Sequence, residues 1–245
     1  MPIPRIYSES KLSPNSTIEL SEASRRHVVQ VLRLKQNDHL VLFDGNGGEF
    51  PATIDHIEKR SVTALITDRE NPERESPLAI HLFQGISKGE RMDYAIQKAV
   101  ENGVREITPV FCERSVVKLD QKRLDKKTGH WRKVVISACE QCGRNIVPPV
   151  HAPVTLHKML ADNNSKQGFI LDPKSRQRLS ELPPPKPVTE SIGIIVGPEG
   201  GLTDQEIISA HERGFHGVTM GPRILRTETA SVVAITIMQT LWGDL

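Results

Sequence analysis

"IIVGPEGGLTDQEI", Ile194 to Ile207, sets an apolar run against a loop of three glycines, a proline and a glutamate, and then opens a helix. Thr203 and Glu206 stand at capping-box spacing just before that helix. A buried strand that empties into a glycine loop and a helix is the repeating unit of a parallel α/β sheet, which takes ligands beyond the carboxyl ends of its strands. The loop has no Gly-Lys-Ser/Thr ending, so it is not a polyphosphate cradle. Its glycines, at 197, 200 and 201, also miss the spacing of the dinucleotide turn. Glu199 would repel phosphate. The loop therefore suits a ligand that is not strongly anionic. A plain strand–helix turn, with glycines only permitting positive φ, is the alternative reading of this loop taken alone.

A second stretch, "MGPRILRTETA" from Met220 to Ala230, also follows an apolar run, also carries Gly-Pro and also precedes a helix. Two such loops at successive strand ends make facing walls of one pocket, in which backbone N–H and C=O groups read the edge of a ligand. Arg226 and Glu228 fall at the start of that closing helix; the alternative for them is an ordinary surface pair.

Outward from these loops the rhythm is strand and helix in alternation. "LAIHLFQ", "EITPVF", "GFILD", "SIGIIV" and "GVTM" read as strands. Ser87-x-x-Glu90 has capping-box spacing before a helix that carries Met92, Ala95, Ile96, Ala99 and Val100 on one face and ends at Asn102-Gly103. "WRKVVISAC" reads as a helix with Trp131, Val134, Val135 and Ala138 inward, and "ASVVAITIMQTLW" closes the chain. Before all this, residues 1–70 read as a small β-barrel with one helix: Ser21 caps "SEASRRHVVQVL", whose stripe is Val28, Val31 and Leu32, and "DGNGG" joins two strands as a hairpin. The charged, proline-containing stretch around 71–77 reads as a linker, and 78–245 as the α/β domain.

Hydrophobic residues make up 37% of the 245 and charged residues 25%, enough for a sizeable core and against wholesale disorder. The net charge of +2 does not by itself imply nucleic acid. From Arg114 to Arg144, however, nine basic residues stand against three acids. A run of that kind is usually a solvated face. Three cysteines make no disulfide framework, the N-terminus has no secretory h-region, and no apolar run reaches the length of a membrane span, so a soluble cytoplasmic protein with no membrane partner is expected. Cys139-x-x-Cys142 has no second ligand pair at zinc spacing, so no metal is expected. Neither H-E-x-x-H nor G-x-S-x-G occurs.

Taken in order, "PRIY", "VLRL", "SKGERMDYAIQKAVENGV", "ITPVFCERSVVKL", "SACEQCGRNIVPPV", "GPEGGLTDQEI" and "LRTETA" resemble the RsmE family of 16S rRNA (uracil-N3)-methyltransferases, of the SPOUT class. The resemblance covers nearly the whole chain. Asn102 and Met220 stand where the family usually has leucine, a helix end and a conservative apolar exchange.

The resemblance implies a PUA-like β-barrel that assists RNA binding and a SPOUT α/β domain with a deep trefoil knot. The residues alone do not suggest a knot, because true knots are essentially absent from ordinary folds. It further implies S-adenosyl-L-methionine as cofactor, a homodimer, and 16S rRNA within the small ribosomal subunit as partner. The glycines would then let the backbone close around a ligand without phosphates that carries a sulfonium cation. By position, Leu171, Gly197, Glu199, Gly200, Met220, Gly221 and Leu225 become the cofactor residues. Arg226 becomes the first catalytic cation and Arg144 the second, with Glu228 orienting Arg226 or accepting a proton. Arg5, Arg33, Lys88, Arg91, Arg114, Lys118, Lys122 and Arg123 become RNA contacts. An aromatic content of 4% favours recognition by shape and backbone over base stacking. Two other readings stay open on the residues: a SPOUT relative that methylates a ribose 2′-hydroxyl or another base, and a non-catalytic RNA-binding assembly factor.

Overall fold

The computed structural model describes residues 3–115, 121–162, 167–184 and 191–245. By its internal contacts the chain divides into two compact units, Met1–Glu75 with Ile136–Val147, and Ser76–Val135 with Pro148–Leu245. The sequence reading ran 78–245 as one piece; residues 136–147 instead group with the first unit.

The first unit is a five-stranded mixed sheet of β1 (Arg5–Tyr7), β2 (Ser16–Glu19), β3 (His39–Phe43), β4 (Phe50–Ile57) and β5 (Val62–Ile66), in the order β1-β3-β4-β5-β2. Alternating residues supply its core: Leu40 and Leu42 from β3, Ala52 and Ile54 from β4, Val62, Ala64 and Ile66 from β5. The expected hairpin joins β3 to β4 through Gly45, Gly47 and Gly48, all at positive φ. Ser21 caps α1 (Glu22–Arg26) by accepting from Ser24 N–H. The helix differs from its predicted stripe. After Arg26 it widens into a π turn, His27–Val31, and the added residue rotates the phase, so Val28 is buried while Val31 is 66% exposed.

Beside β4, Glu49 gathers Arg5, which donates to Oε2, and Arg74 at 2.6 Å; Arg5 also donates to Asn145 Oδ1 at 2.5 Å. Burial by itself would raise the Glu49 pKa, but the hydrogen bonds and charges of Arg74 and Arg5 outweigh it and hold the carboxyl below its ordinary value. Because the folded value is depressed, its stabilising contribution is present above the unfolded carboxylate range and is lost as pH falls through the folded value. Glu49→Ala would strand two guanidiniums, that of Arg5 only 12% exposed, and is expected to destabilise the protein by about 3 kcal/mol at pH 7. Urea unfolding should show that loss shrinking as pH falls below the ordinary carboxylate value of 4.5; an equal loss at every pH would reject the assignment.

The second unit is built on a six-stranded, all-parallel sheet of β6 (Ile80–Gly85), β7 (Glu106–Phe111), β8 (Val154–Thr155), β9 (Gln167–Leu171), β10 (Ile192–Val196) and β11 (Phe215–Val218), in the order β11-β9-β10-β6-β7-β8. Every residue of β10 is buried, as expected of a parallel strand covered on both faces. Between strands run α2 (Glu90–Glu101), α3 (Gln121–Cys142), α4 (Leu156–Asp162), α5 (Asp204–Glu212) and α6 (Thr227–Trp242). The α2 face is the one predicted, and Gly103 leaves the helix at positive φ. Its predicted capping box does not form: Gly89 is the N-cap, and Ser87 Oγ donates instead to Gly85 O. The Thr203/Glu206 box forms in full. No helix among the described residues is long and apolar enough to cross a membrane.

Candidate cofactor pocket and active site

The strand order sets β11, β9 and β10 side by side, so the loops leaving their carboxyl ends open together. They enclose a cavity of about 730 Å³. Gly197–Leu202 form one wall and Val218–Thr219 with Arg223–Glu228 another. Leu171–Lys174, after the strand between them, contribute a third side. Of the predicted cofactor residues, Leu171, Gly197, Glu199, Gly200, Met220 and Leu225 line the cavity. Gly221 is not in the lining; its φ of +120° turns the backbone there.

The glycine loop is held from three sides. Arg114 Nη1 donates to Gly200 O at 3.3 Å and Leu202 O at 3.4 Å. Glu199 Oε1 accepts from Lys88 N–H at 2.9 Å and from Arg91 Nη1 at 3.3 Å. Burial raises the Glu199 pKa, but the backbone hydrogen bonds and Arg91 bring it below the ordinary value, so the loop acid is ionised at neutral pH. From below, a buried polar relay was not foreseen. Thr227 Oγ1 donates to Gly197 O at 2.6 Å and accepts from Gln84 Nε2 at 3.0 Å, while Ser231 Oγ donates to Gln84 Oε1. Gln84 and Ser231 are wholly buried. The relay joins β6, the glycine loop and the first turn of α6. The one advance signal was a glutamine in the apolar run "HLFQG". Gly85 was missed as well: a Cβ there would lie 2.5 Å from Pro198 N, so only glycine lets the loop cross β6.

Arg226 and Glu228 both line the cavity at the start of α6. They form no ion pair with each other. Arg226 is exposed, and its guanidinium has no partner among the described residues. Glu228 Oε2 and Glu199 Oε2 are buried acceptors without a hydrogen bond. Two uncommitted carboxylate oxygens suit a ligand that brings donors or positive charge. That is the donor chemistry of S-adenosylmethionine.

Arg144 does not line this cavity. It is buried in the first unit, where Nε donates to Glu75 Oε2 at 2.9 Å. Among the predicted RNA contacts, Arg33, Lys122 and Arg123 are exposed, and Lys88 is exposed with only its backbone engaged. Arg5 is bound to Glu49, and Arg91 and Arg114 brace the glycine loop. Lys118 lies outside the described residues. Burial pushes the Cys139 thiol up to about 12, so it is protonated at neutral pH. At the amino ends of β6 and β7, strand register brings His81 beside Glu106, and His151 joins them, with ligand atoms within 4.8 Å of one another. Glu106 accepts from His151 at 2.7 Å and His81 bonds Thr108 at 2.8 Å, which accounts for the cluster without an ion.

Fold and cavity thus define a parallel α/β domain with a small-molecule cavity at its strand ends, in a chain that also carries a small β unit. Residues 74–239 match the RNA methyltransferase domain family and residues 20–67 the RNA methyltransferase PUA domain. Ribosomal RNA small subunit methyltransferase E of Buchnera aphidicola (from Acyrthosiphon pisum) is 41% identical, over 99% of this chain and 95% of its own. Its namesake in Bacillus subtilis is 32% identical over 97% and 96%. The Neisseria gonorrhoeae enzyme of that name, solved with S-adenosyl methionine, superposes with a TM-score of 0.92 at 43% identity over 99% of both chains. A Legionella pneumophila protein described as a methyltransferase, solved with bound SAM, gives 0.95 at 40% over the whole of both. The chain belongs to the ribosomal RNA small subunit methyltransferase E family.

Thr227 provides a direct check on the relay. Thr227→Val keeps the shape but removes the hydroxyl that donates to Gly197 O and accepts one Gln84 amide N–H, a cost of about 1–3 kcal/mol. The expected result is an S-adenosylmethionine Kd raised roughly tenfold, with Thr227→Ser near wild type. Equal binding by the valine variant would mean that the loop does not depend on the hydroxyl.

Proposed function

We propose that this protein methylates N3 of a specific uridine in 16S rRNA of the small ribosomal subunit, with S-adenosylmethionine as donor. The observation that carries the reading is the convergence of the glycine loop, a free Arg226 and a partly unsatisfied Glu228 on one cavity at the strand ends. Family membership and the SAM-bound relatives support it.

When bound, the cofactor supplies an electrophilic methyl group. The residues of the chain do the rest by alignment and electrostatics. The backbone at Gly197, Glu199, Gly200, Met220, Gly221 and Leu225, with Leu171 at the rim, holds the ligand. Loss of the N3 imide proton spreads negative charge to uracil O2 and O4, and methylation at N3 discharges it. The Arg226 guanidinium stabilises that charge. Glu228 Oε2, with no hydrogen bond of its own, accepts the N3 proton. Arg144, committed to Glu75, is not given a role at the reacting atoms.

The PUA unit and exposed Arg33, Lys88, Lys122 and Arg123 contribute RNA contacts in this reading. A trefoil knot in the second domain is supported by the strand order, in which β10 enters between β6 and β9. A homodimer and a cytoplasmic site of action are part of this reading.

The test is methyl transfer from labelled S-adenosylmethionine to small subunits that lack the modification, followed by digestion to nucleosides. Naked ribosomal RNA and transfer RNA run alongside. Labelled 3-methyluridine is expected. A different labelled nucleoside would place the protein with another SPOUT specificity, and no transfer would leave a non-catalytic RNA-binding factor.

A further inference from the structure

The loop between β11 and α6 carries a feature that cofactor binding does not absorb. Ile224 is 86% exposed, the most exposed of the large apolar side chains among the described residues, although it borders the cavity. Arg223 and Arg226 flank it, both exposed and both without a hydrogen bond or ion pair among the described residues. The other cations lining the cavity are committed: Lys174 pairs with Asp204 at 2.7 Å, Arg91 with Glu199 at 3.3 Å, and Arg114 donates to the carbonyls of Gly200 and Leu202. Uncompensated positive charge therefore gathers on one edge of the mouth, around an apolar side chain.

That combination fits one kind of partner. A nucleotide drawn out of its stack presents a phosphate on each side and an apolar face, and enzymes that act on a base must expose it in this way. We propose that Arg223 and Ile224 form a nucleotide-holding edge: Arg223 takes a backbone phosphate beside the target uridine, and Ile224 packs against the face of an unstacked base. Arg226, at the N-cap of α6, is kept for the reacting base itself. The proposal rests on the reading of the chain as a ribosomal RNA methyltransferase. It adds where the substrate strand is gripped.

The test is equilibrium binding of the full-length protein to unmodified small subunits and to their naked ribosomal RNA, across a salt series. Arg223→Ala is expected to weaken RNA binding about tenfold at low salt and to reduce the slope of log K against log salt by about 0.7–0.9, one phosphate's share. Arg223→Lys should keep the slope. Ile224→Ala should weaken binding about fivefold through lost apolar contact, with no change in slope. The urea-unfolding midpoint should match wild type in all three, which excludes a misfolded variant. RNA binding equal to wild type in Arg223→Ala and Ile224→Ala would overturn the proposal while wild-type methylation keeps the functional reading intact. A change of molecular mass on sedimentation of Ile224→Ala would also overturn it, since the side chain would then be covered by a second copy. Wild type that neither binds RNA nor methylates it would remove the functional reading on which the proposal stands.

Discussion

Arg226→Ala is expected to lower the turnover number for methyl transfer by about 10²–10³-fold, the range for loss of one preorganised donor to developing charge. S-adenosylmethionine should bind it nearly as well as wild type. The side chain stands at the cavity mouth with no protein partner, so its removal breaks no ion pair and leaves no buried group stranded. Its backbone carbonyl, which accepts from Ala230 N–H in the first turn of α6, is untouched by the substitution. The effect should therefore fall on kcat rather than on the cofactor's KM. Arg226→Lys should recover only part of the rate, because a point charge cannot span two uracil oxygens as the planar guanidinium can. Near-normal turnover by Arg226→Ala on small subunits would remove the residue from the mechanism.

Gly200→Val should act on the other half of the reaction, the binding of cofactor. A Cβ at this position would lie 2.8 Å from Arg114 Cβ and 2.9 Å from Arg114 O. The second of these is backbone and cannot swing aside. The loop must move off the segment after β7, and the Arg114 bonds to Gly200 O and Leu202 O stretch with it. Overpacking of that sort costs about 1–3 kcal/mol. Borne by the ligand-competent loop, it raises the S-adenosylmethionine Kd roughly 10- to 100-fold. The obstruction arises behind the loop, against Arg114, and not by a valine filling the cavity. Arg114→Ala should therefore give a smaller loss in the same direction, which a titration of both variants would show. Unchanged affinity in Gly200→Val would mean that the loop does not form the wall described.

Part of this architecture was legible in the chain. The apolar period of α2 named its buried face residue for residue, because a helix on a sheet buries one stripe at a spacing that sequence displays directly. The Thr203/Glu206 box was legible because it is completed within four residues. Where a local signal competed with its surroundings it misled. Ser87 and Glu90 had the spacing of a cap, yet Ser87 is turned to Gly85 O and Glu199 reaches the Lys88 amide from another loop. In the same way "VVQVL" kept helical period in sequence, while the π turn put Val31 in solvent.

The candidate site divides along the same line. By itself the sequence determined the parallel α/β class, the two glycine loops at strand ends and most of the cavity's lining, since strand, turn and cap are written in neighbouring residues. Only the tertiary structure decided that β9 runs between β10 and β11, adding a third loop to the cavity. It also decided that Arg114 and Arg91 brace the glycine loop, that Arg144 answers to Glu75, and that Gln84, Thr227 and Ser231 form one relay. These pairings join residues from 69 to 147 positions apart in the chain. Charge and hydrogen-bonding capacity are properties of a residue, but which partner satisfies them is a property of proximity, and proximity at that separation is set by how the strands are ordered.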